Sequence, residues 1–360
     1  MAPVVLIAPA AFKGTLGPRQ VAAALSAGVR HAFPDASVLV CPVADGGDGL
    51  LDAVLPPGSF RERVEVTGPL GPPFVAELGW MDVETAIFES AAACGLALLK
   101  LEERDPLRAT TRGVGEVIRE VIDRGATTVV VGLGGTATVD GGTGAARGLG
   151  WSFRDAAGEP LPEGGGSLVE LASLDGGWGL KARVIALTDV TTSLVGSQGA
   201  APVFAPQKGA TPRDVERLAA GLERLGAVMA AHGRPELATL PGGGAAGGLG
   251  AGLVFFARAE LVPGAEWVLS RVGFDAALAT ADLVITGEGR FDRTSLVGKA
   301  VGEVLRRAQA EHKKVAVVAG WVEEQVGVPA VSGEGQMLDD AGLARLAERA
   351  AREAFGLPAA

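Results

Sequence analysis

Three segments of the chain place an acidic residue among glycines directly after an apolar run. The segments are Ala44-Asp45-Gly46-Gly47-Asp48-Gly49, Gly134-Gly135-Thr136-Ala137-Thr138-Val139-Asp140-Gly141-Gly142 and Thr286-Gly287-Glu288-Gly289-Arg290-Phe291-Asp292. Glycine lets backbone N–H groups approach an oxyanion closely, and a carboxylate can bind Mg²⁺ or act as a general base. Glycine also serves tight turns that need a positive φ. Because the acid recurs at a similar place in all three segments, the pattern favours a ligand site.

Lysine is rare in this chain, and it recurs beside glycine. Of the 32 basic residues seven are lysine, and three of these stand next to a glycine: Lys13, Lys208 and Lys299. An ammonium group is a compact cation that fits against a phosphate oxygen or a small carboxylate in a space too tight for a guanidinium group. We therefore predict that these lysines meet an anionic ligand, with chance clustering as the alternative.

The histidines are not placed to serve these segments. His31, His232 and His312 each stand near the end of a predicted helix, away from every glycine cluster. If the chain is an enzyme, its general base is then expected to be a carboxylate or a lysine.

The elements that position these segments alternate between strand and helix. Apolar runs at Val4–Ala8, Thr127–Leu133 and Asp282–Thr286 predict buried parallel strands covered by helices. Three further short strands are predicted from residue 61 to residue 89, and the first two are joined by a Gly/Pro-rich turn, which indicates an antiparallel or mixed piece.

The predicted fold is α/β with two domains. Residues 1–66 and 260–360 are expected to form a discontinuous Rossmann-like domain with a parallel sheet. Residues 67–259 are expected to form an inserted second α/β domain with a mixed sheet.

Composition excludes several classes of partner. The net charge of -10 makes nucleic acid an unfavourable ligand. No apolar stretch reaches the roughly 20 residues that a membrane span needs. Residues 3–12 are typical of a first core strand and not of a signal peptide. Cys41 and Cys94 form neither a zinc motif nor a disulfide framework, so we expect a cytoplasmic protein.

Several long motifs, in order along nearly the whole chain, resemble the glycerate kinase family of the bacterial type. They are Ala8-Pro9-Ala10-Ala11-Phe12-Lys13-Gly14-Thr15-Leu16, the first glycine segment, residues 134–144, Thr188-Asp189-Val190-Thr191, Phe204-Ala205-Pro206-Gln207-Lys208-Gly209-Ala210-Thr211, residues 241–252 and residues 286–299. The resemblance implies an active site in the cleft between two domains, ATP and Mg²⁺ as cofactors, and D-glycerate as acceptor, usually at its 2-hydroxyl.

On this resemblance we assign roles to the candidate residues. Asp189 or Asp292 is expected to be the base near the acceptor hydroxyl, with Lys13 as a further catalytic residue. Asp45 and Glu288 are expected to bind the metal. The nucleotide is expected to contact Gly134, Gly135, Thr136, Asp140, Gly141, Gly142, Lys208 and Lys299. The sequence alone leaves the order of these carboxylates among their roles, and the oligomeric state, open.

Other functions stay open at this point. The chain carries Ala10 and Ala11 where the family usually has Asp and Ser, so a kinase for another small hydroxy acid and a non-catalytic small-acid binding protein are alternatives. A nicotinamide-dependent dehydrogenase is disfavoured, because no GxGxxG motif follows the first strand.

Overall fold

The structure is a computed structural model that describes residues 2–358 except 13, 178, 297, 324–326 and 328. The chain divides into two compact units, residues 1–56 with 263–360, and residues 57–262. The sequence placed residues 61–66 in the first domain, whereas the structure pairs them along their length with the next strand of the second unit.

The elements alternate along the chain as follows. The strands are β1 (Val4–Pro9), β2 (Ser37–Val40), β3 (Arg61–Thr67), β4 (Pro73–Trp80), β5 (Thr85–Glu89), β6 (Thr128–Gly132), β7 (Ser152–Arg154), β8 (Ser173–Asp175), β9 (Arg183–Thr188), β10 (Glu260–Pro263), β11 (Leu283–Phe291), β12 (Lys314–Val322) and β13 (Ala330–Ser332). The α-helices are α1 (Pro18–Ala32), α2 (Leu50–Val54), α3 (Ala91–Cys94), α4 (Arg112–Asp123), α5 (Thr143–Gly148), α6 (Ala200–Phe204), α7 (Pro212–Ala231), α8 (Ala245–Phe256), α9 (Gly264–Arg271), α10 (Phe274–Thr280), α11 (Ala300–Ala310) and α12 (Asp340–Ala354). Short 3₁₀ helices lie at Leu96–Leu98, Leu101–Glu103, Gly165–Glu170, Pro206–Lys208, Pro235–Ala238 and Arg293–Leu296.

The first unit is built on a parallel sheet in the order β13-β12-β11-β1-β2. Its central strands are apolar on both faces, because helices cover the sheet on both sides. One face packs against α9, α10 and α11, and the other packs against α1 and α12. The register pairs Pro9, the last residue of β1, with Gly287 of β11, and β11 continues beyond this pair to Phe291.

The second unit is built on a mixed sheet in the order β10-β9-β6-β5-β4-β3. The pairs β3–β4 and β4–β5 are antiparallel, whereas β5–β6 and β6–β9 are parallel. The predicted α/β class, with one parallel and one mixed sheet, is confirmed. No helix in the described part of the chain is both long and apolar enough to cross a bilayer.

Local sequence explains where the long helix α7 begins. Thr211 caps it, with its hydroxyl accepting from the Asp214 backbone N–H at 3.3 Å, while the Asp214 carboxylate accepts from the Thr211 backbone N–H at 2.8 Å. Pro212 takes the first helical position, where its missing N–H is not needed. Thr211 as a capping residue, followed by Pro212, predicts a helix start at this point of the sequence, and the structure begins α7 there.

Gly28 lets α1 and α12 approach each other closely. A Cβ atom at Gly28 would lie 2.0 Å from the carbonyl oxygen of Ala344 and 2.8 Å from Cβ of Ala347. Both neighbours belong to helix α12, which covers the same face of the sheet.

We therefore expect Gly28→Ala to destabilise the protein by about 1–3 kcal/mol, because the added methyl overpacks the helix contact. Helix propensity alone would favour alanine by about 1 kcal/mol, so the two effects have opposite signs. Chemical unfolding of both proteins measures the difference. Equal or higher stability of the alanine variant would show that the helices are not this close.

Candidate active site

The glycine loop, defined here as residues 134–144, follows the carboxyl end of β6 in the second unit. Glu89 of β5 is aligned with Gly132 of β6, and Gly132 is aligned with Leu187 of β9. Ser90, the glycine loop and Asp189 therefore lie along one edge of the parallel part of this sheet. In open α/β sheets, ligands bind outside the carboxyl ends of the strands.

Solvent access divides the glycine loop in two. Gly135 is exposed and Gly134 is half-buried, whereas residues 136–144 are buried. The sequence assigned six residues of this loop to the nucleotide. Of these six, only Gly134 and Gly135 are accessible to a ligand. Thr136, Asp140, Gly141 and Gly142 face the interior.

Asp140 holds the second half of the loop from inside. Its Oδ2 accepts from Thr111 N at 2.9 Å, Thr111 Oγ1 at 2.8 Å and Gly144 N at 3.1 Å. Its Oδ1 accepts from Gly142 N at 3.1 Å. Burial raises the pKa of the Asp140 carboxyl, and these hydrogen bonds oppose the rise because they favour the charged form. The carboxylate is therefore a structural acceptor for backbone N–H groups.

A positive φ and close packing together explain why positions 141 and 247 are glycine. Gly141 has φ 61°, and a Cβ there would lie 2.3 Å from Cδ2 of Leu225. Gly247 has φ 70°, and its Cβ would lie 2.0 Å from the Thr138 carbonyl oxygen. The Gly141 N–H donates to the Gly247 carbonyl at 3.1 Å. The glycine-rich segment that opens α8 thus lies directly against the glycine loop.

Lys208 reaches the glycine loop from a distant part of the sequence. The residue is 3% exposed, and its Nζ donates to Thr138 O at 2.7 Å and to Thr136 Oγ1 at 3.2 Å. Burial lowers the pKa of Lys208 to about 8, while the charges of Cys94 and Asp140 act to raise it. The sequence assigned this lysine to the nucleotide, but the structure directs its described hydrogen bonds to the loop.

A second group of predicted residues lies in the first unit. Asp45 follows β2, and its Oδ1 accepts from the Gly47 N–H at 3.1 Å in a tight turn. Glu288 stands on β11 one residue beyond Gly287, whose carbonyl accepts from the Ala10 N–H at 2.8 Å. Both carboxylates therefore lie near the carboxyl edge of the parallel sheet.

Asp292 and Lys299 are linked through one threonine. Asp292 Oδ1 accepts from Thr294 Oγ1 at 2.6 Å and from Thr294 N at 2.8 Å, and Lys299 Nζ donates to Thr294 Oγ1 at 2.6 Å. The Thr294 hydroxyl holds the pKa of the Asp292 carboxyl below its usual value, and the charges of Lys299 and Arg290 act in the same direction. Asp292 is thus an ionised carboxylate next to a positive charge.

The predicted residues fall into two groups. The second unit holds Gly134, Gly135, Thr136, Asp140, Gly141, Gly142, Asp189 and Lys208, and the first unit holds Asp45, Glu288, Asp292 and Lys299. Lys13 lies outside the described residues.

Sequence reasoning missed two residues that shape the glycine loop. Thr111 is 29 residues from Asp140 in sequence and donates two hydrogen bonds to its carboxylate. Arg104 donates to the Gln207 carbonyl at 3.4 Å and so supports the turn that carries Lys208. Neither contact has a local sequence signal, because each depends on the packing of separate elements.

The carboxylates fit the chemistry of Mg²⁺. This ion is usually held by one or two carboxylates together with substrate phosphates and water, rather than by a cage of side chains. Asp45 and Glu288 offer such oxygen ligands at one sheet edge. Within the described residues, no group of three or more His, Cys, Asp and Glu side chains could hold a metal ion.

Comparison with known proteins identifies the family. The family model described as Glycerate kinase family matches residues 5–350. The chain belongs to the glycerate kinase family. It is 41% identical to Glycerate 2-kinase of Escherichia coli (strain K12) over 90% of this chain and 87% of that protein. It is 40% identical to Glycerate kinase of Bacillus subtilis (strain 168) over 88% of this chain and 85% of that one.

A solved structure supports the same conclusion. The crystal structure of a glycerate kinase 2 from Salmonella typhimurium LT2 matches with a TM-score of 0.81 and 39% identity, covering 99% of this chain and 97% of that one. The predicted family, and the prediction that the chain is an enzyme of the kinase class, are confirmed.

The lowered pKa of Lys208 predicts how stability depends on pH. The folded state loses this proton near pH 8, whereas the unfolded chain keeps it to about pH 10.5. Between these values the unfolded state binds more protons, so the free energy of unfolding rises with pH. We expect the stability of the wild type relative to Lys208→Met to rise by about 2 kcal/mol from pH 7 to pH 10.

Urea unfolding at a series of pH values measures this difference. Lys181→Met is the matched control, since Lys181 is an exposed lysine of the same unit, and its difference from the wild type should not change over the range. A wild-type advantage over Lys208→Met that falls with pH would contradict the assignment.

Proposed function

We propose that the protein transfers the terminal phosphate of ATP to D-glycerate, with the 2-hydroxyl as the favoured acceptor. The observation that carries the proposal is the 41% identity to Glycerate 2-kinase over 90% of this chain. The accessible Gly134-Gly135 pair, at the carboxyl edge of a parallel sheet, supports a phosphate site in the second unit.

Phosphoryl transfer depends mainly on positioning and on neutralising charge. In the proposed site the N–H groups of Gly134 and Gly135 bind phosphate oxygens, and the buried part of the loop keeps them in place. Asp45 and Glu288 would hold Mg²⁺, which supplies charge neutralisation when bound. Lys299 and Lys13 add positive charge for phosphate or for the substrate carboxylate.

A carboxylate of the chain orients the acceptor hydroxyl and takes its proton. Asp189 follows β9 directly, so a buried strand fixes its backbone. Asp292 is the other candidate, and the two hydrogen bonds that its Oδ1 accepts from Thr294 link it to Lys299. We favour Asp189 as the base and Asp292 as a residue that orients Lys299.

We also propose a cytoplasmic location. Cys41 and Cys94 are both buried free thiols, which fits a compartment that keeps thiols reduced.

Activity is tested with purified protein, ATP, Mg²⁺ and D-glycerate. We expect ADP and 2-phosphoglycerate, the latter assigned by phosphorus NMR, and no turnover once the Mg²⁺ is chelated. Turnover of other small hydroxy acids without glycerate would change the substrate and leave the kinase class intact. Glycerate binding without ATP consumption would instead favour the binding protein that the Ala10-Ala11 departure suggested.

The two carboxylates are tested by Asp189→Asn and Asp292→Asn. Loss of a general base reduces kcat by about 100-fold or more and leaves nucleotide binding nearly intact. We expect this result for Asp189→Asn, and a raised KM with a smaller loss of kcat for Asp292→Asn. The exposed residues Asp123 and Asp35, one in each unit, provide control Asn variants. If Asp189→Asn lowers only the melting temperature, Asp189 is a structural residue.

A further inference from the structure

The lysine at position 208 stands in a turn that is itself fixed. It ends the 3₁₀ helix Pro206–Lys208, and Gly209 follows with φ 97°. A Cβ at Gly209 would lie 3.1 Å from Cβ of Arg104, whose guanidinium donates to the Gln207 carbonyl at 3.4 Å. These contacts therefore hold in place the backbone from which the Lys208 side chain extends.

The ammonium group ends inside the second unit, beside the glycine loop. Its two described hydrogen bonds go to Thr136 Oγ1 and Thr138 O, at 3.2 Å and 2.7 Å. The titratable groups that face it are the Asp140 carboxylate, on the loop, and the Cys94 thiol, at the end of α3. With 3% of the residue exposed, little of Lys208 is left for a ligand to touch.

Stability alone does not account for a buried ammonium here. Removing a charge from water is costly, and apolar residues of similar volume often replace buried charges without loss of stability. A buried polar contact can instead select one backbone conformation. The residues held by Lys208 follow directly after the accessible Gly134-Gly135 pair, so their position determines where the N–H groups of those two glycines point.

We propose that Lys208 is a positioning residue: its buried ammonium group holds Thr136 and Thr138 and thereby keeps Gly134 and Gly135 in the geometry that receives the phosphates of the nucleotide. This role rests on the function proposed above. It replaces the direct contact with nucleotide that the sequence suggested for Lys208. Asp140 accepts hydrogen bonds from Gly142 and Gly144 in the second half of the same loop. The ammonium group of Lys208 therefore holds the first half of the loop from the inside, and the carboxylate of Asp140 holds the second half.

The test uses Lys208→Met, Thr136→Val and the double variant, with Lys181→Met as the exposed control. We expect each single variant to lower kcat/KM for ATP by about tenfold, with kcat at saturating ATP changed by less than about threefold. Because both single variants break the same hydrogen bond, the double variant should lose less than the product of the single losses. Fully multiplicative losses would indicate that Lys208 contacts the nucleotide directly and would overturn the proposal.

Amide hydrogen exchange of the same proteins gives a readout that does not need activity. We expect residues 134–139 to exchange at least about tenfold faster in Lys208→Met and in Thr136→Val, with β9 unchanged. If Lys208→Met does not fold, Thr136→Val still provides both measurements. Unchanged exchange in these residues would overturn the positioning role. A wild type that neither binds ATP nor phosphorylates glycerate would refute the proposed function instead.

Discussion

The four hydrogen bonds that the buried Asp140 carboxylate accepts are the interaction on which the candidate phosphate site depends. A loop that presents backbone N–H groups to a ligand needs polar partners for its buried backbone groups, because a buried N–H without a partner is costly. Asp140 supplies partners for Gly142 and Gly144 and ties the loop to Thr111 at the start of α4. The accessible glycines Gly134 and Gly135 can therefore be held still by groups that are themselves buried.

Backbone-to-backbone packing completes this arrangement and explains why glycine is concentrated in two distant segments. The loop and the segment that opens α8 lie so close that a Cβ at Gly247 would collide with the Thr138 carbonyl. Side chains would separate the two segments and move the loop away from the sheet edge. Glycine in these two segments serves mainly close approach inside the protein, and of their glycines only Gly134 and Gly135 are accessible to solvent.

The sequence predicts the α/β class, the cap at Thr211 and the glycine loop, because strand periodicity, capping residues and glycine clusters are local signals. It could not separate the accessible glycines from the buried ones, since Gly134 and Gly141 look alike in a sequence. Nor could it show that Lys208 points into the protein, since its partners lie 70 and 72 residues away. The burial of a glycine and the direction of a side chain depend on which elements pack together. The sequence of a single segment does not determine that packing.

We propose that the accessible start of the glycine loop binds the phosphates of the nucleotide while the buried remainder of the loop holds it in place. Amide chemical shifts of ¹⁵N-labelled protein during titration with Mg²⁺ and a non-hydrolysable ATP analogue test it most directly. We expect large shifts at Gly134 and Gly135 that reach saturation with nucleotide, with smaller shifts at Asp140 and Gly142. Saturating shifts confined to other residues, with Gly134 and Gly135 unmoved, would contradict it.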